Sequence, residues 1–109
     1  MTSVIMPVHN GAAHITEAMA SALAQLAQTD ELIVVDDHSS DRTLSVVAAM
    51  AEPRVRVLST PRRGVSAARN VGLAAARGEF IAFLAQSRKF VRGNNVGSDE
   101  QLEPIPRSI

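Results

Sequence analysis

The segment Glu31-Leu-Ile-Val-Val is an apolar run that ends on two adjacent carboxylates, Asp36 and Asp37, and then enters a serine-rich turn. An apolar run that stops on acids and a turn is typical of a buried parallel strand that leads into a helix. In open α/β sheets, ligands bind at the carboxyl edge of the strands. The segment therefore predicts a ligand site around Asp36 and Asp37.

Short apolar runs alternate with stretches of helical periodicity along most of the chain. The predicted strands cover 2–6, 31–35, 55–58 and 80–84, and the predicted helices cover 13–27, 41–50 and about 65–76. Strands and helices that alternate at this spacing imply right-handed crossovers and parallel pairing. The sequence thus predicts an α/β fold, a Rossmann-like parallel sheet of about four strands with helices on both faces.

Two local predictions follow from the same pattern. Because Pro7 lacks a backbone donor, the first strand is expected to stop before it. In the second helix, Leu44, Val47, Ala48 and, as a further candidate, Ala51 are expected to face the core, behind a serine cap at position 39 or 40.

The character of the chain changes after Leu84. Residues 85–109 show neither helical nor strand periodicity and are rich in turn formers. We expect a folded half-domain over 1–84 and an irregular or disordered tail over 85–109.

Composition narrows the range of partners and locations. The 11 basic residues balance the 11 acidic ones, so no global field attracts nucleic acid, which is not an expected partner. There is no cysteine, and the default expectation is a cytoplasmic protein. No window is long and apolar enough to span a bilayer, so only peripheral membrane association stays open. Self-association through uncovered apolar helix surface is a further expectation.

Charged side chains near the predicted strand ends suggest separate roles. Neighbouring residues of an extended segment point to opposite sides, so we expect Asp37 to face the cleft and Asp36 to be structural. The alternative is that one of the two acids caps the following helix and the other is solvated. An ionised carboxylate only accepts hydrogen bonds and therefore selects ligand donors. Arg69 lies in an alanine-rich helix whose start favours phosphate, whereas His38 is expected to be a turn residue.

Three segments together form a wider pattern. They are Ser3-Val-Ile-Met-Pro-Val-His-Asn-Gly, Glu31-Leu-Ile-Val-Val-Asp-Asp-His-Ser-Ser-Asp-Arg-Thr, and the stretch from Arg63-Gly-Val-Ser-Ala-Ala-Arg-Asn through to Leu84. In order and spacing, these motifs resemble the amino-terminal half of family 2 glycosyltransferases, across residues 2–84.

The resemblance implies a GT-A fold and inverting transfer of a sugar from a nucleotide-diphospho-sugar, a UDP-sugar first, to an acceptor hydroxyl. In such enzymes, the loop that starts at Pro7 lines the base and ribose, and Asp37 accepts a hydrogen bond from a uracil-type ring. His9 stands where the family more commonly has tyrosine. The implied nucleotide-binding residues are Pro7, Val8, His9, Asn10, Asp36, Asp37, Gly64 and Arg69.

The sequence departs from the family after the fourth predicted strand. There the family carries an Asp-X-Asp element that holds Mg²⁺ or Mn²⁺, followed further along by an acidic general base. This chain reads Ala85-Gln-Ser-Arg-Lys instead, and no acid follows until Asp99. No metal ligand and no catalytic residue are therefore assigned, and no cofactor is certain. We expect the chain by itself to be incomplete and inactive, which leaves its standing as an enzyme open.

Other functions stay open at this point. One is a catalytically empty nucleotide-binding or interaction module, and another is a phospho-receiver-like signalling domain of similar length. A receiver would place its acid pair after the first strand, which here ends on Pro7. A dinucleotide-binding oxidoreductase is disfavoured because the loop after that strand lacks Gly-X-Gly-X-X-Gly.

Overall fold

The computed structural model describes residues 1–84 together with the short strand Ile105–Pro106. Its elements in chain order are β1 (Thr2–Val8), α1 (Ile15–Gln25), β2 (Glu31–Asp36), α2 (Thr43–Met50), β3 (Val55–Ser59), α3 (Val65–Ala75), β4 (Phe80–Phe83) and β5 (Ile105–Pro106). The strand order is β3-β2-β1-β4-β5. Strands β1 to β4 pair in parallel, and β5 pairs antiparallel with β4. The predicted α/β fold with its parallel sheet is confirmed.

The sheet separates two apolar cores, because side chains alternate between its two faces. On one face, Leu32 and Val34 of β2 pack with buried residues of α1 and α2. On the other face, Ile33 and Val35 pack with α3, which contributes Ala68. Helices therefore cover both faces, as predicted, and β2 is buried along its whole length.

Strand β1 continues through Pro7 to Val8, so the expected stop before Pro7 is wrong. The carbonyl of Ile5 accepts a hydrogen bond from the Leu84 amide on the β4 side. Backbone groups alternate sides along a strand, so the Pro7 nitrogen also faces the β4 side. It lies beyond the last pair between these strands, Ile5 with Phe83. The missing N–H of Pro7 therefore breaks no hydrogen bond between β1 and β4.

Helix α2 begins at Thr43 and buries Thr43 and Val47. Val47 lies in the core as predicted, whereas Leu44, Ala48 and Ala51 are exposed and their expected core position is wrong. The side of α2 that meets the sheet carries Thr43 and Val47, with the partly buried Val46 and Met50 beside them. The expected serine cap is also wrong, because Arg42 is the N-cap residue, and the Thr43 amide donates to the Asp41 carboxylate at 2.9 Å.

A buried carboxylate, Glu31, closes the amino edge of the sheet and is only 5% exposed. It accepts hydrogen bonds from the Ser3 hydroxyl at 2.6 Å and the Arg77 amide at 2.7 Å. It also forms a 3.0 Å ion pair with Arg56. Burial raises the pKa of Glu31, but these donors more than offset burial and hold the pKa below its usual value. Glu31 thus joins β1, β2, β3 and the segment after α3.

Two further expectations concern the tail and contact with a membrane. The irregular tail predicted over 85–109 lies outside the described residues, apart from the two that form β5. Within the described part of the chain, every helix is too short or too polar to cross a bilayer.

Candidate functional site

The loops that follow β1, β2 and β3 meet at the carboxyl edge of the sheet. The Asp37 amide donates to the Val8 carbonyl at 2.7 Å, and the Thr60 amide donates to the Asp36 carbonyl at 3.2 Å. The segments that begin at Pro7, Asp36 and Pro61 therefore converge at this edge. We call this surface, formed by residues 9–12, 37–42 and 60–64, the rim.

Asp37 lies at the centre of the rim and is partly exposed. Its two carboxylate oxygens accept from the Gly64 amide, at 3.1 Å for Oδ1 and 3.0 Å for Oδ2. Gly64 has φ +112°, a conformation that residues with a side chain rarely adopt, and directly precedes α3. The structure thus brings the predicted residues Asp37 and Gly64 together.

Asp36 differs from its neighbour in burial, with only 5% of the residue exposed. By strand alternation it shares the α1 and α2 face of the sheet with Val34. Its Oδ2 accepts from the Ser39 amide at 3.3 Å, whereas Oδ1 is a buried oxygen without a hydrogen-bond partner among the described residues. Asp36 therefore bonds to the turn after β2 from its buried side, and Asp37 is the carboxylate that a ligand can reach.

The first loop contributes two polar side chains to the rim. His9 Nδ1 lies 2.7 Å from the Asp37 carbonyl oxygen, which can only accept, so the ring donates through Nδ1–H. Asn10 has φ +50° and directs its side-chain oxygen to the turn after β2. Pro7 and Val8 precede these residues in β1, and the Val8 side chain is buried in the core. Val8 thus reaches the rim through its backbone.

Arg69 lies on α3 at the other end of the site. Its guanidinium carbon is 5.6 Å from the centroid of the Phe83 ring, at the end of β4. A cation over an aromatic ring at this distance is a favourable contact. The contact orients the exposed Arg69 side chain toward the β4 end of the carboxyl edge.

A cavity of about 450 Å³ lies beside the start of α3. Its lining includes Arg62 and Arg63 from the loop, and Ser66 and Asn70 from the helix. No acidic residue stands in the first turn of α3. Two arginines beside a helix start make this side of the rim favourable for negative charge.

Sequence reasoning missed the residues that join the first loop to the second. Besides Asn10, these contacts involve Ser39, Ser40, Asp41 and Thr43. The run Ser39-Ser-Asp-Arg-Thr indicates such contacts, because serine, threonine and aspartate side chains readily form hydrogen bonds with nearby backbone groups. His38, with φ +56°, is an exposed turn residue as predicted.

The described residues of the rim offer no cluster of ligands for a divalent cation. Within residues 1–84, no three His, Cys, Asp or Glu side chains cluster in a way that could hold a metal. The positions that follow β4 in sequence carry Ala85, Gln86 and Ser87 in place of acids. Mg²⁺ and Mn²⁺ prefer carboxylate oxygens, so no step is assigned to a metal here.

Comparison with known proteins shows extensive similarity. A family model described as glycosyl transferase family 2 matches residues 3–85. The succinoglycan biosynthesis protein ExoO of Rhizobium meliloti (strain 1021) is 48% identical over 81 residues, which are 73% of this chain and 23% of that protein. The UDP-Glc:alpha-D-GlcNAc-diphosphoundecaprenol beta-1,3-glucosyltransferase WfgD of Escherichia coli is 39% identical over 85 residues, which are 77% of this chain and 34% of that protein.

Solved structures show the same similarity in three dimensions. Residues 1–349 of S. aureus TarS in complex with UDP-GlcNAc superpose with a TM-score of 0.73 at 28% identity, over 88% of this chain and 36% of that one. The mannosyltransferase PcManGT from Pyrobaculum calidifontis, in complex with GDP-Man and Mn²⁺, gives 0.72 at 29% identity, over 79% of this chain and 27% of that one. The chain therefore spans roughly a quarter to a third of the length of these proteins.

Proposed function

The chain belongs to glycosyl transferase family 2, and we propose that its rim binds the nucleoside diphosphate portion of a nucleotide sugar, with a UDP-sugar as the donor. The observation that carries the proposal is the position of Asp37. Its amide, carbonyl and carboxylate contact Val8, His9 and Gly64, so all three converging segments meet at this residue. A carboxylate fixed in this way presents acceptors to a ligand.

The base is the part of the ligand that Asp37 would recognise. Uracil carries an N–H in its ring, which donates to a carboxylate, whereas the corresponding cytosine nitrogen is an acceptor that a carboxylate repels. The first loop lies beside Asp37, and its residues from Pro7 to His9 would line the base and ribose. Support for the ligand class comes from the UDP-GlcNAc complex of TarS and the GDP-Man complex of PcManGT.

The phosphates would lie toward positive charge. Arg69 at the β4 end is the predicted nucleotide-binding cation, and Gly64 lets the chain approach closely at the start of α3. Guanidinium groups and helix starts both favour phosphate. Asp36 would act indirectly, by holding the turn that carries Asp37.

We further propose that the full reaction is inverting transfer of the sugar to an acceptor hydroxyl. Such a reaction requires a group that takes the proton of the hydroxyl and a site for the acceptor. Neither role is assigned to a residue of this chain. We therefore propose that these 109 residues by themselves bind the donor nucleotide without transferring sugar. A cytoplasmic location, peripheral membrane contact and self-association remain predictions.

Replacing Asp37 by alanine tests the proposal in a calorimetric titration with UDP and CDP. We expect the wild-type chain to prefer UDP, and Asp37→Ala to weaken UDP binding about 10- to 100-fold, because a hydrogen bond to a charged group is lost. The variant should also lose the preference for UDP over CDP. Glu79→Gln removes a carboxylate that is bonded to the Met1 amino group, away from the rim, and is the matched control.

Three outcomes would contradict the proposal. One is a wild-type chain that binds neither nucleotide, and another is an Asp37→Ala variant that keeps the UDP preference. The third concerns transfer: UDP released from a UDP-sugar by the purified wild-type chain, but not by Asp37→Ala, would show that these residues suffice for catalysis.

A further inference from the structure

We propose that Asn10 is a positioning residue of the nucleotide site, which fixes His9 and Asp37 without itself touching the nucleotide. The inference rests on the proposed function. It assigns Asn10 a different role from the direct contact that the resemblance implies. The contacts of its side chain, its backbone and its neighbours all support this role.

The side-chain oxygen of Asn10 is already engaged within the protein. It accepts from the Ser40 amide at 2.7 Å, the Ser40 hydroxyl at 3.3 Å and the Asp41 amide at 3.3 Å. One amide oxygen thus organises the turn between β2 and α2 from the loop after β1. An oxygen with this many donors has little capacity left for a ligand.

The backbone of Asn10 is fixed to the same turn. Its amide donates to the Ser39 hydroxyl at 2.9 Å. Its φ of +50° is in the left-handed region, where asparagine is tolerated better than most residues with a side chain. The backbone and the side chain therefore both point Asn10 into the turn after β2.

The flanking residues continue the attachment along the first loop. The Gly11 amide donates to the Thr43 hydroxyl at 2.9 Å, and the Ala12 amide donates to the Asp41 carboxylate at 3.2 Å. These bonds hold Gly11 and Ala12 beside the turn after β2. Asn10 stands in the chain between these two residues and His9, which faces the nucleotide.

Asn10 can influence the ligand site through His9. His9 donates through Nδ1–H to the Asp37 carbonyl, on the same residue as the carboxylate that would read the base. The Asn10 side-chain nitrogen lies 3.4 Å from His9 Nε2. If the Asn10 side chain no longer bonds to the turn after β2, the His9 ring and Asp37 are no longer held in position relative to each other.

Two substitutions separate positioning from direct contact. Asn10→Gly keeps access to the left-handed backbone but removes the side-chain acceptor. Asn10→Asp keeps the acceptor and removes the side-chain donor. We expect Asn10→Gly to weaken UDP binding about fivefold to tenfold, and Asn10→Asp, which keeps the acceptor for the turn, to weaken it clearly less, as measured by calorimetry.

The ¹⁵N spectrum of the His9 ring supplies a readout that a loss of stability alone would not change. In the wild type, we expect the signal of the Nδ1–H form. In Asn10→Gly at a temperature where the chain is folded, we expect a mixture of both tautomers, since the bond to Asp37 is weakened.

Two results would overturn the inference. UDP affinity that falls as much in Asn10→Asp as in Asn10→Gly would show that the acceptor bonded to the turn is not what supports UDP binding. An unchanged His9 tautomer in folded Asn10→Gly would show that Asn10 does not fix its neighbour. A wild-type chain that binds no UDP would overturn the proposed function instead, and the tautomer measurement would still decide whether Asn10 positions His9.

Discussion

We expect Glu31→Gln to lower the free energy of unfolding by about 3 kcal/mol, because the substitution breaks a buried network of charged hydrogen bonds. Glutamine has the same size but places an NH₂ group where a carboxylate oxygen accepted. The Ser3 hydroxyl, the Arg77 amide and the Arg56 guanidinium then compete for a single acceptor. Chemical denaturation monitored by circular dichroism measures the change.

The effect of Glu31→Gln should depend on pH. The pKa of Glu31 in the folded chain lies below its ordinary value of 4.5. A carboxylate with a lowered folded pKa stabilises the fold fully above its unfolded pKa, and this contribution is lost as the pH falls through the folded pKa. The difference in stability between wild type and Glu31→Gln should therefore be constant near neutral pH and shrink below about pH 4.5.

Glu79→Gln is the control for the same chemical change at the surface. Its side chain is 80% exposed and pairs with the amino terminus at 3.2 Å. Exposed ion pairs contribute little, so we expect a change below about 0.5 kcal/mol. Equal effects of Glu31→Gln and Glu79→Gln, or a difference that grows with acidification, would contradict the role given to Glu31.

The second large effect concerns the packing of α3 on the sheet. We expect Gly72→Ala to destabilise the fold by about 1 to 3 kcal/mol, although alanine favours helix by about 1 kcal/mol. A Cβ atom at position 72 would overlap Cγ2 of Ile5 and lie 3.2 Å from Cγ2 of Val35. Both neighbours are fully buried, so the helix must move away from the sheet. Thermal unfolding measures the loss.

A double substitution shows whether overlap is the cause. Ile5→Ala removes the overlapping methyl group and alone should cost about 2 to 5 kcal/mol, through the cavity that it leaves. Combined with Gly72→Ala, the loss should be smaller than the sum of the single losses, since the new methyl group enters that space. Strictly additive losses would place the cause elsewhere.

Much of the fold could be predicted because it follows from patterns within short segments of the sequence. The run Leu32 to Val35 is apolar on both faces, as a central parallel strand requires, and it ends on Asp36 and Asp37. Parallel topology then places the following loops on one edge. Strand alternation separated the buried Asp36 from the accessible Asp37.

The remaining features depend on contacts between distant segments. Whether Pro7 ends β1 depends on where β4 stops, and the sequence of β1 does not contain that information. In α2, the polar Thr43 is buried, and its hydroxyl accepts a hydrogen bond from the Gly11 amide, 32 positions away. The bonds of Asn10 to Ser40 join residues that are 30 positions apart. Such pairings have no periodic signal in the sequence.

Amide chemical-shift mapping with UDP tests most directly the claim that the rim is a nucleotide site. We predict that the largest ¹H–¹⁵N shifts occur at His9, Asp37, Gly64 and Arg69, with much smaller shifts around Glu31 at the opposite edge of the sheet. Shifts that concentrate around Glu31 and Arg77, or that spread evenly over the chain, would contradict the claim.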